Sequence, residues 1–227
     1  MLPQHDCTSE ELISAAAAAE DAGFDSVWVS DHLHGWRRSD RAFLECISAL
    51  SAVAVSTARV RVGTLVLRAG LRPPAVVAAA ARTIDDMSEG RLTLGLGSGD
   101  GGVESEESSY GLPPRSMAVR REVLAAAVDY LRTHLPSVPL LIGGTSDASM
   151  LLARSVGTWN FWGSVDEMEA RLFGLPEDAR PAKIFWAGMF PGPEGIAALA
   201  RMGVDEVAVA VGAQNYSERI RSLRDSV

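Results

Sequence analysis

The chain has 227 residues, of which 47% are apolar, and it carries a net charge of −8 with a sequence pI of about 5.0. This acidic balance argues against a duplex nucleic-acid partner, because such proteins need a basic face to neutralise phosphates. The apolar runs fall short of the ~20 residues that span a bilayer, and residues 1–11 lack the basic and apolar regions of a signal peptide. We therefore expect a cytoplasmic protein without a membrane partner.

Helices and strands alternate along the whole sequence. The first predicted helix begins at Thr8, where Glu11 is spaced to complete a capping box, and it ends at Gly23. Apolar residues at helical spacing predict further helices at Ala42–Val55, Ala75–Met87, Ser116–His134, Ser146–Ser155, Val165–Phe173, Glu194–Met202 and Asn215–Arg224. Apolar, β-branched and aromatic runs predict seven strands at Asp25–Ser30, Ala58–Leu67, Gly90–Gly99, Ser137–Gly144, Thr158–Gly163, Ala182–Gly188 and Asp205–Val211. Residues 103–114 are predicted to form an acidic loop.

The order of these elements predicts an α/β fold. The sequences "AEDAGFDSVWVS" and "LARMGVDEVAVA" share one plan, in which a helix, a glycine, an apolar residue and an aspartate precede a buried strand. A repeated unit at both ends of the chain, with strands apolar on both faces, favours a closed (β/α)8 TIM barrel. Its eighth strand would have to be Met1–Pro3. No linker interrupts the series, so a single, compact domain over residues 1–227 is expected.

The alternative is an open dinucleotide-binding sheet, since "GLGSGDGG" resembles the glycine fingerprint of that fold. The fingerprint normally follows the first strand and opens a helix directly. Here it follows a middle strand and runs into a segment predicted as non-helical. The barrel is therefore favoured.

Polar and glycine residues cluster where the predicted strands end, which is where barrel enzymes place their chemistry. His32 is either a proton carrier or a structural cap of its strand, and Glu104 to Glu107 are expected to be solvated. The glycines before Ser146 form either an anion site or a plain turn. The collection lacks a metal-binding set or a known nucleophile motif, which favours an organic cofactor and no metal. Its members are Asp31, His32, His34, Trp36, Thr64–Arg68, Ser98–Asp100, Gly143–Thr145, Asn160 and Trp162.

Three segments resemble the bacterial luciferase-like family of flavin and deazaflavin enzymes, and they occur in the family's order. They are "AEDAGFDSVWVSDHLHGW", "RVGTLVLRAGLRPPAVVAAAARTIDDMSEGRLTLGLGSGD" and "SVPLLIGGTSDASMLLARSVGTWNFWG". The family fold is a (β/α)8 barrel, in agreement with the pattern above. Ser-Asp-His followed closely by Trp36 is similar to the branch that uses the deazaflavin coenzyme F-420.

The resemblance implies an oxidoreductase that moves a hydride between coenzyme F-420, or alternatively FMN, and a small-molecule substrate. It implies catalytic roles for His32 and for Asp100, where the branch more often has glutamate. It also implies a non-prolyl cis peptide bond at Leu65–Val66, and we expect Arg37 and Arg38 to meet the anionic tail of the coenzyme. The expected cofactor contacts are Asp31, Trp36, Thr64, Leu65, Val66, Ser98 and Gly99, with Gly143, Gly144 and Thr145 at the phosphate.

Two departures from the family pattern keep other functions open. The first strand is reduced to Met1–Pro3, and the long insertion that covers the substrate in the family is absent before Ser137. An FMN-dependent monooxygenase and a non-catalytic flavin-binding or partner subunit are the alternatives. The family commonly dimerises through its early helices, so a homodimer is expected.

Overall fold

Seven parallel strands form one sheet in sequential order in the computed structural model, which describes residues 1–34, 42–99, 103–212 and 215–224. Every neighbouring pair is parallel, from β1 with β2 through to β6 with β7. Parallel neighbours in sequential order curl the sheet into a nearly closed barrel. The strands are β1 (Ser26–Val29), β2 (Arg61–Arg68), β3 (Leu92–Gly97), β4 (Leu140–Gly143), β5 (Thr158–Trp162), β6 (Lys183–Gly188) and β7 (Glu206–Val209).

Helices alternate with the strands, as the sequence predicts. The predicted capping box of the first helix is present, because the Thr8 hydroxyl accepts from the Glu11 N–H and the Glu11 carboxylate accepts from the Thr8 N–H. The helices of the described residues are α1 (Ser9–Asp21), α2 (Cys46–Ser56), α3 (Pro74–Met87), α4 (Val103–Ser109), α5 (Met117–His134), α6 (Asp147–Val156), α7 (Val165–Leu172), α8 (Gly192–Arg201) and α9 (Tyr216–Arg224). Within the same ranges, no helix combines the length and the apolar character that crossing a bilayer requires.

The first residues of the chain lie in the gap between β1 and β7. The Leu2 N–H donates to the Trp28 carbonyl at 2.8 Å, and the Met1 amine donates to the Val209 carbonyl at 2.7 Å. At the other end of the gap, the Ser26 hydroxyl donates to the Glu206 carboxylate. The predicted barrel class is confirmed, with Met1–Pro3 occupying the eighth position without forming a regular strand.

The barrel interior is filled by side chains that alternate with those facing the helices. Val27 and Val29 of β1 belong to the outer core, whereas Trp28 between them points into the barrel. We call the interior apolar cluster the barrel plug; it comprises Trp28, Leu65, Leu141, Phe185, Ala187 and Ala208. Barrels whose interior is filled by side chains bind their ligands at the carboxyl ends of the strands, so this mouth is the expected place for a ligand site.

Two predictions about the helices were wrong: the start of the second helix, and the absence of a helix from the acidic segment. The second helix begins at Cys46 rather than Ala42, because Phe43 forms an antiparallel bridge with His5 and the Glu45 carboxylate caps the helix by accepting from the Ser48 N–H. The predicted acidic loop contains α4. Val103 and Glu106, three residues apart, both turn their side chains into the protein, which gives this short helix a buried face.

Gly95 provides a stability test of this packing, because a side chain has no room there. An ideal Cβ at Gly95 would lie 2.1 Å from the Thr64 carbonyl oxygen, which is backbone that cannot turn away. We expect Gly95→Ala to lower the free energy of unfolding by about 3 kcal/mol, measured by urea denaturation. Ala79→Ser on the exposed face of α3 is the control and should cost under ~1 kcal/mol. Equal stabilities for the two variants would contradict the described packing.

Candidate functional site

His32 follows β1 and is held by contacts on two sides. Its Nδ1 lies 3.3 Å from Glu106 Oε2, and its ring meets the Phe43 ring edge to face at a centroid distance of 5.7 Å. The side chain keeps 21% of its surface exposed. His32 is therefore fixed in orientation but still open to a ligand at the mouth.

Glu106 of α4 is the buried anion of this site, with 6% of its side chain exposed. Its Oε1 accepts from the Leu33 N–H and from Arg68 Nη2 at 3.1 Å, and its Oε2 accepts from Arg68 Nη1 at 3.4 Å. Burial by itself raises the pKa of Glu106. The hydrogen bonds from His32 and Leu33 and the charge of Arg68 outweigh burial and lower that pKa to about 2.

The charge of Glu106 decides which nitrogen of His32 carries the proton. A carboxylate ionised at neutral pH can only accept hydrogen bonds, so the proton of neutral His32 lies on Nδ1. Nε2 is then the ring nitrogen that a ligand can address. A buried acid, an oriented imidazole and an available nitrogen make a proton-transfer unit.

A second buried carboxylate, that of Asp31, binds the backbone of the arginine that pairs with Glu106. Asp31 is 2% exposed and accepts from the Arg68 N–H at 2.9 Å. It also accepts two bonds from the Arg72 guanidinium, at 2.8 and 3.0 Å, and Arg72 reaches Glu45 as well. The Asp31 carboxylate thus holds Arg68 and Arg72 in place beside the site, and its predicted contact with a cofactor stays a prediction.

The floor of the mouth is formed at the cis peptide bond between Leu65 and Val66, which the structure has where the resemblance implied it. Val66 is partly exposed, and its side chain lies over two glycines: an ideal Cβ at Gly97 or at Gly143 would come within 2.5 or 2.8 Å of it. Leu65 belongs to the barrel plug. Thr64 is fully buried and its hydroxyl donates to the Gly95 carbonyl, so its side chain supports the bulge from behind.

The remaining predicted contacts border this floor. Ser98 and Gly99 are partly exposed just after β3, and Gly143 is the last residue of β4. Gly144, with φ of 135°, and the exposed Thr145 lead into α6, where the Ser146 hydroxyl accepts from the Ser149 N–H. Their role at a phosphate stays a prediction.

Asp100, Trp36, Arg37 and Arg38 lie outside the described residues, so their predicted roles also stay predictions. The residues that the sequence analysis missed are Arg68 as a buried cation and Glu106 as its partner. The prediction that Glu106 and Glu107 are solvated was wrong, since each is 5% exposed. The three-residue spacing of Val103 and Glu106, which puts both side chains on one face of a helix, was the available signal.

Comparison with known proteins places this geometry in context. The family model described as luciferase-like monooxygenase matches residues 3–174. The F-420-dependent glucose-6-phosphate dehydrogenase of Beutenbergia cavernae is 45% identical over 104 residues, which is 45% of this chain and 30% of that protein. The enzyme of the same name from Intrasporangium calvum is 37% identical over 123 residues, 54% of this chain and 37% of that protein. The matched segments thus span well under two thirds of these relatives.

Solved structures share the fold. An F-420-dependent secondary alcohol dehydrogenase in complex with an F-420–acetone adduct superposes with a TM-score of 0.77 at 16% identity, covering 100% of this chain and 98% of that one. The coenzyme F-420-dependent tetrahydromethanopterin reductase of Methanopyrus kandleri gives 0.74 at 16% identity, covering 100% and 96%. At this identity the likeness establishes the architecture alone.

The pKa of Glu106 predicts a specific acid sensitivity. Its folded-state pKa of about 2 lies below the ordinary value of 4.5, so its stabilisation is complete above pH 4.5 and is lost as the pH falls towards 2. Glu106→Gln should therefore be less stable at neutral pH, by up to about 3 kcal/mol, and should lose part of the decline between pH 4.5 and 2.

The measurement is urea denaturation at a series of pH values. Glu122→Gln, on the exposed face of α5, is the control and should follow the wild-type curve. A Glu106→Gln protein whose stability parallels wild type across this range would show that Glu106 is not the ionised, stabilising group described above.

Proposed function

The chain belongs to the luciferase-like monooxygenase family, and we propose that it is an oxidoreductase that moves a hydride between coenzyme F-420 and a small organic substrate. The observation that carries the proposal is the oriented His32, whose Nδ1 contacts the buried carboxylate of Glu106 at the barrel mouth. The names of the relatives in sequence favour the deazaflavin over FMN.

The mouth fits a planar cofactor. Gly97 and Gly143 have no side chains beside Val66, so the floor presents a partly exposed aliphatic group between two glycines. The ends of β3 and β4 carry glycines and hydroxyl residues suited to polar groups at the ring edge and tail. Aliphatic, glycine and hydroxyl residues can hold and orient a ring, and none of them is an acid, a base or a redox group that would react in its place.

Coenzyme F-420, when bound, supplies the carbon that accepts or gives the hydride. The chain then has to bind the cofactor and the substrate, orient them, and transfer one proton. His32 Nε2 takes a proton from a substrate hydroxyl, or returns one to a carbonyl oxygen, as the hydride moves. Glu106 keeps Nδ1 protonated and stabilises the positive charge that forms on the ring, and Arg68 holds Glu106 in its ionised state.

The proposal extends to a small alcohol or carbonyl compound. It does not extend to glucose 6-phosphate, because the matched segment covers 30% and 37% of the relatives that act on it. A homodimer and a cytoplasmic location are further parts of the proposal.

The first test is a fluorescence titration of the purified chain with coenzyme F-420 and, separately, with FMN. We expect a low-micromolar dissociation constant for F-420 and weaker binding of FMN. Preference for FMN would favour a monooxygenase instead. Binding of neither would favour a family member without the family chemistry and would overturn the proposal.

The second test separates chemistry from binding at His32. His32→Ala should lower turnover by about 10²–10⁴-fold, because a general acid–base group contributes on that scale. Its dissociation constant for F-420 should stay within threefold of wild type. His134→Ala is the control, since His134 stacks on Tyr130 at the end of α5 and takes no part in the site. A His32→Ala protein that turns over as wild type does would remove the catalytic assignment.

A further inference from the structure

Leu33, the residue after His32, is held at both of its backbone polar groups by side chains from one short segment. Its N–H donates to Glu106 Oε1, and its carbonyl accepts from the Tyr110 hydroxyl at 2.7 Å. The N–H lies in the peptide plane shared with His32 and the carbonyl in the plane shared with His34, so the two bonds fix both planes. The backbone conformation of Leu33 is thereby set from α4 and the turn that follows it.

Tyr110 lies in the turn that ends α4. Its N–H and that of Leu112 both donate to the Glu107 carbonyl, at 3.1 and 2.9 Å, and Gly111 between them has a φ of 72°. Glycine adopts this left-handed conformation readily, and such a residue commonly closes a helix. The position of the Tyr110 side chain therefore follows from the end of the helix that carries Glu106.

The chain on the other side of His32 is held by Gln4. This residue is 2% exposed; its Oε1 accepts from the Ser30 N–H at 2.6 Å, and its Nε2 donates to the Ser30 carbonyl at 2.9 Å. His32 therefore lies on a short span of chain that is fixed at Ser30 from one side and at Leu33 from the other. The hydroxyl of Tyr110 is one of the two groups that fix the second end.

Stability alone does not account for Tyr110. The residue is 54% exposed, so burial of its ring contributes little, and a single hydrogen bond in contact with water adds little to the free energy of unfolding. Its ring lies beside the His34 ring at a centroid distance of 6.2 Å. The hydrogen bond and the ring contact are thus both made with the two residues that directly follow His32.

We propose that Tyr110 is a positioning residue for the His32 imidazole and that it acts through the Leu33 carbonyl. This inference rests on the proposed function, in which His32 Nε2 takes and returns the proton. His32 Nδ1 lies 3.3 Å from Glu106 Oε2, at the long end of hydrogen-bond distances, so a small rotation of the backbone breaks this contact. By holding Leu33, Tyr110 keeps the ring nitrogen facing the carboxylate.

Loss of the Tyr110 hydroxyl should show itself in the tautomer of His32. While Nδ1 is bonded to the Glu106 carboxylate, the proton of neutral His32 stays on Nδ1. When that acceptor is displaced, the tautomer with the proton on Nε2 becomes populated, and Nε2 can then no longer take a proton from a substrate. Misplacement of a reacting group lowers turnover even where the ligand still binds.

The test compares Tyr110→Phe with the wild type and with Tyr130→Phe. The control removes the same hydroxyl from α5, where the Tyr130 ring stacks on His134. The histidine tautomers are read from nitrogen NMR chemical shifts of the ligand-free proteins, and the His32 signals are identified by their absence in His32→Ala. The dissociation constant for F-420, the rate of F-420 reduction by isopropanol and the melting temperature are measured on the same proteins.

The wild type and Tyr130→Phe should both show His32 protonated on Nδ1. Tyr110→Phe should populate the form protonated on Nε2 and lower turnover by about tenfold. Its dissociation constant for F-420 should stay within about twofold of wild type, and its melting temperature within about 4 °C, because only one exposed hydrogen bond is lost.

An unchanged His32 tautomer in Tyr110→Phe overturns the inference, and so does unchanged turnover. A loss of F-420 affinity as large as the loss of turnover, together with a lower melting temperature, assigns Tyr110 a structural role and also overturns it. If the wild type binds neither F-420 nor FMN, the proposed function fails by that measurement. The tautomer comparison on the ligand-free proteins then decides alone whether Tyr110 orients His32.

Discussion

The site depends on one buried charge, the carboxylate of Glu106. Removing a carboxylate from water is costly, and the cost is met only if cations and N–H donors surround it. Here the Arg68 guanidinium, the Leu33 N–H and the His32 ring meet it from two separate chain segments. Because these partners come from the ends of β1 and β2, the burial of Glu106 fixes α4, the strand ends and the histidine relative to one another.

A hydrogen bond and further ion pairs connect Arg68 to residues farther from the barrel mouth. Arg68 uses its side chain for Glu106 and its backbone N–H for Asp31, and Asp31 in turn pairs with Arg72. Arg72 also reaches Glu45, which caps α2. Alternating charges therefore run from the mouth of the barrel to the start of a helix. Such an array orients His32 through the ends of regular elements, which hold geometry better than a free loop does.

The sequence predicts the elements that repeat and misses those that depend on long-range pairing. The seven strands follow from local apolar runs, and the capping box at Thr8 follows from spacing alone. The start of α2 was wrong because Phe43 pairs with His5, a contact 38 residues away that no local pattern encodes. Glu106 was missed for a related reason, since the six glutamates and serines in a row at residues 104–109 indicate a solvated surface until a buried arginine is known to face them.

The barrel plug explains why ligand binding depends on a few residues at the mouth. Trp28 and Phe185 meet inside the barrel in edge-to-face contact at 5.9 Å, and Gly63 gives Trp28 the space it needs. A ligand is therefore expected at the carboxyl end, where the wall turns from apolar side chains to Val66 and glycines.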